Sequence, residues 1–281
     1  KIVDWKVKQQ ENNCAQAIDV AIKIDQSTFR CFAQQGLTVA FIRVYESNGN
    51  GAPDVNCIAN IYNAANEGLG IEIYVEPQPY CTKKGSAQFM EMYTYLTSRK
   101  IAVGAIWIKI TKPIIWLNNH VANTNFINEF ITCAWRHGVT VGIFTNWYDW
   151  QQITSGQLTS DQTQIRLWYW NMLGAGANAA TLPTFDDFRA FGGFNVPSAK
   201  QYVQNTYICG ICTSLSIYVN QMLMDTSLSI SINGKLKTAN ITPSYLSPML
   251  PIMAKVSEKQ VENEHLKKKE KNGNDISSPA L

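Results

Sequence analysis

The sequence has no apolar run near the roughly 20 residues a membrane-spanning helix needs, so no membrane span is expected. Charge is scarce, at 16% of 281 residues. The formal net charge is +3, and no basic block stands in the first 220 residues, which argues against a nucleic-acid surface. The three histidines, His120, His137 and His265, have no ligand-like spacing. Cys209-Gly210-Ile211-Cys212 has no second Cys-x-x-Cys pair to complete a zinc site. A disulfide, or two buried thiols, is the simpler reading, with the pairing left open. Gly174-Ala175-Gly176 does not open a helix, so it is no dinucleotide fingerprint, and no Ser-His-Asp arrangement stands out. No cofactor and no metal are expected.

What is present suits a globular chain: 46% hydrophobic residues can build a core. Seven cysteines, low charge and many Asn and Thr favour a secreted or endolysosomal setting. Lys1 in place of Met fits either a removed signal peptide or a fragment. Asn240-Ile241-Thr242 would be a glycosylation acceptor in a secreted chain.

After a polar lead-in over 1–13, strand-like and helix-like segments alternate. Strands are predicted at Ala17–Ala21, Thr38–Val44, Gly70–Val75, Val103–Ile110 and Val139–Thr145. Helices are predicted at Ser27–Gln35 with Ser27 as cap, Asp54–Asn66, Ser86–Arg99 and Thr124–Arg136. This rhythm argues for an α/β protein with a parallel sheet and covering helices. After Trp147 it fails: a short helix at Gln151–Gln157 is followed by strands Leu167–Trp170, Ala199–Val203 and Tyr207–Thr213 with only loops between. The expected domain covers 15–220. Residues 221–281 form an extra segment, with a hairpin over Ser227–Thr238 around Asn233-Gly234 and a solvated tail carrying His265-Leu266-Lys267-Lys268-Lys269-Glu270-Lys271.

The most informative stretch is Ile106-Trp107-Ile108-Lys109-Ile110-Thr111, an apolar strand ending in two polar side chains on one face. It and several others resemble the nematode and amoeba branch of the family 25 glycoside hydrolases. Ala17-Ile18-Asp19-Val20 is similar to the family's first strand, with its acidic end. Phe41-Ile42-Arg43-Val44-Tyr45-Glu46-Ser47-Asn48-Gly49 is similar to a Tyr-Glu-Ser segment of the nematode branch. Leu167-Trp168-Tyr169-Trp170, Phe185-Asp186-Asp187-Phe188 and Pro197-Ser198-Ala199-Lys200-Gln201-Tyr202 follow in the same order. The resemblance implies a modified β/α barrel (TIM-like) of about five βα units followed by strands without helices. It also implies a peptidoglycan muramidase lineage acting in innate defence or bacterial digestion. The implied partner is bacterial cell-wall glycan or another polysaccharide, bound by a monomer.

Departures gather at the chemistry. The family's Asp-x-Glu strand end reads Lys109-x-Thr111, and its Val-Asp-x-Asn element corresponds to Thr213-Ser214-Leu215-Ser216. Asp19 is the expected carboxylate that remains. Glycoside hydrolysis ordinarily takes two carboxyl groups. Thr111 is too weak an acid to protonate a leaving group, and the Lys109 charge would repel an oxocarbenium ion. Lys109 is expected to pair with Asp19 or Glu76, unless the acid/base site has been rewired.

Tyr45, Tyr74, Trp147, Trp168 and Trp170 fall at or near strand ends, where aromatic faces stack on sugar rings. With Glu46 and Glu76 they form the expected substrate-binding set, while Trp107 is read as core. The leading expectation is a glycan-binding pseudoenzyme. The alternatives are a muramidase using Asp19 with Glu76 or Glu46, and a protein-interaction or signalling scaffold.

Overall fold

The computed structural model describes residues 14–158, 160–219, 231–232 and 235–236. The lead-in over 1–13, the glycosylation triplet and the charged run over 265–271 lie outside these residues.

Five strand-helix units come first. They are β1 (Cys14–Val20), α1 (Gln26–Gln34), β2 (Leu37–Glu46), a two-residue β3 (Ala52–Pro53) paired to β2, α2 (Cys57–Asn66), β4 (Gly70–Val75), α3 (Gly85–Thr97), β5 (Ala105–Lys109), α4 (His120–Arg136), β6 (Thr140–Thr145) and α5 (Trp147–Thr154). Three strands without α-helices between them follow: β7 (Arg166–Trp170), β8 (Ala199–Ile208) and β9 (Ile211–Val219). The sheet runs β1-β9-β8-β7-β6-β5-β4-β2, and β1 pairs in parallel with β2, closing an eight-stranded barrel. All these pairings are parallel except those of β9, which is antiparallel to both β8 and β1. Among the described residues no helix is long and apolar enough to cross a membrane. A two-residue pair, β10 (Ser231–Ile232) and β11 (Lys235–Leu236), lies apart from this sheet.

The helices begin and end where local chemistry requires. Asp25, not Ser27, caps α1: its carboxylate accepts from the Thr28 amide at 2.7 Å and from the Ser27 hydroxyl at 2.9 Å. In α2 the first helical residue is Cys57 rather than Asp54, whose side chain pairs with Arg43 instead. In α4, Phe126, Ile127, Phe130, Ile131 and Ala134 form the buried face, and Gly138 at φ 71° takes the chain out of the helix. The expected strand Tyr207–Thr213 is instead a tight hairpin, because Cys209 and Gly210 both take positive φ and turn β8 into β9.

Two apolar layers result. One lies between sheet and helices. The other fills the barrel and includes Val39, Phe41, Tyr74, Trp107, Phe144 and Trp168. Phe41 stacks on Trp168 with ring centroids 4.1 Å apart. Gly142 of β6 faces Trp107 on the neighbouring strand, and a Cβ there would collide with the indole. The missing side chain is what admits a tryptophan to the barrel floor.

Below that aromatic layer, Glu72 is buried, its carboxylate held by the Trp107 indole N–H at 2.7 Å. Burial pushes its pKa up to about 7, against the Trp107 hydrogen bond and attraction to Arg166, which lower it. A carboxyl raised in the folded state favours folding at low pH and loses that advantage as pH climbs from its unfolded value, near 4.5, through 7. At about 1.4 kcal/mol per pH unit, the loss is of order 3 kcal/mol. Glu72→Gln keeps an acceptor for Trp107. It is expected to match the natural protein near pH 4 and exceed its stability by roughly 2–3 kcal/mol at pH 8. Urea denaturation of both proteins at the two pH values checks this, and a pH-independent difference would refute it.

Candidate functional site

The C-terminal ends of the parallel strands open into a cleft of about 570 Å³. Asp19 reaches it from the end of β1, Glu76 from just beyond β4, Lys109 from the end of β5, Thr111 from just beyond it, and Trp170 from β7. Gln201 and the β8–β9 hairpin, including Thr213 and Ser214, supply the opposite wall. That hairpin is pinned at its turn by a disulfide from Cys209 to Cys31 on α1. Of the two readings of the Cys-x-x-Cys stretch, two buried thiols is corrected: Cys209 is disulfide-bonded to a residue 178 positions away, and Cys212 is an exposed thiol lining the cleft.

The floor of the cleft is a closed polar network. The Lys109 ammonium lies 2.7 Å from Asp19 Oδ2 and 4.0 Å from Glu76 Oε1, and packs 3.8 Å above the Tyr74 ring. The Tyr74 hydroxyl donates to Asp19 Oδ1 at 2.6 Å. Burial first, then the nearby Asp19 charge, raises the Tyr74 pKa well above its ordinary value, so the phenol stays a donor. Glu76 Oε2 takes Arg43 Nη1 at 3.1 Å, and Arg43 also binds Asp54 and the Ala21 carbonyl. The Thr213 hydroxyl donates to the Asp19 carbonyl, tying β9 to the end of β1.

Several residues expected at the rim stand elsewhere. A register shift between Arg43 and Tyr45 turns Tyr45 to the outer face, where it is fully buried and its hydroxyl donates to Glu91 at 2.8 Å. Glu46 accepts from Arg43 at 3.3 Å and Asn48 at 3.0 Å and is outside the cleft lining. Trp168 points inward but is fully buried one layer deeper, its indole N–H donating to Ser216 at 3.1 Å. Trp147 is 60% exposed on the first turn of α5 but does not line the cleft. Asp19, Tyr74, Glu76, Lys109, Thr111 and Trp170 do come together.

One cleft residue was not anticipated. Asp149, in the first turn of α5, is 4% exposed and lines the cleft. It accepts from the Trp170 indole N–H at 3.2 Å and from the Lys112 backbone N–H. Burial raises its pKa, and those two hydrogen bonds offset the rise only partly. The local signal was Asn146-Trp147-Tyr148-Asp149, an N-cap followed three residues later by an acid. Among the described residues no cluster of His, Cys, Asp and Glu could hold a metal ion.

A family profile described as Lysozyme-like protein 1 matches residues 10–202. Lysozyme-like protein 2 of Caenorhabditis elegans is 42% identical over 202 residues, covering 72% of each chain. Probable GH family 25 lysozyme 2 of Dictyostelium discoideum is 29% identical over 202 residues, covering 72% of this chain and 89% of its own. Among solved structures, a family GH25 lysozyme from Aspergillus fumigatus superposes with a TM-score of 0.56 at 14% identity, covering 78% of this chain and all of the other. A muramidase from Trichobolus zukalii gives a TM-score of 0.53 at 16% identity, covering 73% of this chain and 93% of its own.

Proposed function

We propose a function from one premise: this chain belongs to the lysozyme-like protein family, in the family 25 glycoside hydrolase lineage. On our reading it binds a peptidoglycan-type glycan in the barrel-mouth cleft without hydrolysing it. The supporting observation is the Lys109–Asp19 pair. Lys109 lies 2.7 Å from one oxygen of Asp19 and Tyr74 donates to the other at 2.6 Å, so the carboxylate's charge is already matched by a cation where a sugar cation would need it. Thr111 offers no acid at the neighbouring position, and a general acid is typically worth about 10²–10⁴-fold in rate.

A muramidase using Asp19 with Glu76 or Glu46 fits less well. Glu76 is committed to Arg43 and adjoins Lys109, and Glu46 also pairs with Arg43 and is not part of the cleft lining. A scaffold with a filled groove also fits less well, because the cleft stays open with the partly exposed Trp170 in its lining. The muramidase lineage supplies the ligand class, and a role in innate defence or bacterial digestion follows from it. Secretion or residence in an endolysosome is supported by the Cys31–Cys209 disulfide. We take the working unit to be a monomer, with 15–220 the lysozyme-like barrel and 221–281 a separate segment.

The purified full chain is expected to sediment with insoluble peptidoglycan and to release no reducing ends above a blank. Reducing-end release that Asp19→Asn abolishes would make it a working muramidase. Failure to sediment would remove the glycan reading.

A further inference from the structure

The carboxylates of the cleft are not equivalent. Asp19 gives its two oxygens to Lys109 and Tyr74. Glu76 gives one to Arg43, with the other 4.0 Å from Lys109. Asp149 has no cation partner among the described residues. Its known donors are the Trp170 indole N–H and the Lys112 backbone N–H, and a carboxylate offers about four lone-pair sites. The helix does not need this side chain as a cap either, because Asn146 caps α5 by accepting from the Asp149 amide at 2.8 Å. A nearly buried carboxyl with spare acceptor capacity is costly to keep unless something donates to it. Trp170 lines the same cleft, held by its bond to Asp149, so a flat apolar face and an acceptor stand side by side.

We propose that Asp149 and Trp170 form the ligand-reading pair of this cleft, the indole packing on a pyranose face and the carboxyl accepting from the same sugar's hydroxyl or amide N–H groups. This rests on the glycan reading above and deepens it. It moves recognition from the altered end of β5 to the start of α5. A sugar bound there leaves the Lys109–Asp19 pair undisturbed. The ligand class is a neutral, donor-rich pyranose unit, because the carboxyl accepts and does not compensate a second anion.

The test is titration of the full chain with N-acetylchitotetraose and, separately, with solubilised peptidoglycan strands, followed by calorimetry. A hydrogen bond to a charged group corresponds to a loss of about 10- to 100-fold on truncation. Asp149→Leu is expected to weaken binding by that factor. Asp149→Asn, which keeps one acceptor oxygen and replaces the other with a donor, is expected to weaken it several-fold. Glu67→Gln, whose side chain pairs with Arg30 and takes no part in the cleft, is expected to bind as the natural protein does. Should Asp149→Leu fail to fold, the Asn variant still decides. Natural binding with unchanged affinity in the folded Asp149→Asn and Asp149→Leu variants overturns the assignment and leaves the glycan reading intact. Absence of binding by the natural protein to either probe overturns the glycan reading itself, and the pair with it.

Discussion

Replacing Lys200 with methionine is expected to cost about 3 kcal/mol of stability and to lower Tm by roughly 10 °C. Lys200 lies in β8 with no exposed surface, yet its ammonium is fully used. It donates to the Leu182 carbonyl at 2.8 Å, the Thr184 carbonyl at 3.0 Å and Asp187 Oδ2 at 2.6 Å. Asp187 also accepts from the Tyr169 hydroxyl and the Asn171 amide, each at 2.6 Å. This hub joins β7, β8 and the long connection between them, the stretch where earlier units carry an α-helix. A helix would satisfy its own backbone there, whereas an irregular connection needs side chains to do it. Burial lowers the Lys200 pKa despite the pairing, and Asp187 is held below its ordinary value because its donors outweigh burial. Methionine fills much of the volume but strands two carbonyls and one carboxylate. Asp187 is about a third exposed, so water can relieve part of the penalty, which keeps the cost at the lower end for a broken buried pair. Thermal denaturation of Lys200→Met, Asp187→Asn and the double variant checks the claim. The double should cost clearly less than the sum. A Tm change under about 2 °C, or strict additivity, would show that the hub does not hold the connection.

Period-2 alternation carried much of this architecture into the sequence. It places Glu72, Tyr74 and Glu76 on one face of β4, and it sets Lys109 towards them. Parity does not report depth, however. Trp168 and Trp170 share a face of β7, yet one is barrel floor and the other cleft wall, because only the closed barrel sets where the packed layers end. Parity also fails at a bulge: one shifted residue after Arg43 sends Tyr45 outward, away from the rim that its place in the sequence predicts. The Cys31–Cys209 bond joins the tip of a hairpin to the first helix, a closeness that spacing within Cys209–Cys212 cannot reveal. Asp149 was hidden for a related reason. Its capping-type spacing was readable, but its arrival in the cleft depends on β6 delivering the start of α5 beside Trp170 of β7.

The Lys109→Asp, Thr111→Glu double variant is expected to raise reducing-end release from peptidoglycan by at least about 10²-fold over the natural protein. Two changes are needed because two functions are missing on our reading. Removing Lys109 frees Asp19 Oδ2 and relieves the positive charge beside the position where a sugar cation would develop. The Thr111→Glu change supplies a carboxyl in the cleft lining, two residues beyond the end of β5. Thr111→Glu alone should stay silent, because Lys109 would still hold Asp19 and gain a third anionic neighbour beside Asp19 and Glu76. Lys109→Asp alone should stay silent for want of a proton donor, and it gathers carboxylates beside Asp19 and Glu76, so some stability is lost. Adding Asp19→Asn to the double variant should abolish the gained activity. If the double variant is folded, still sediments with peptidoglycan and releases nothing, the idea that the end of β5 alone separates this cleft from a hydrolase is wrong. Attention would then pass to the β9 wall, where Ser214 continues the inward-facing row of Ser216 and Tyr218 and lies beside the end of β1.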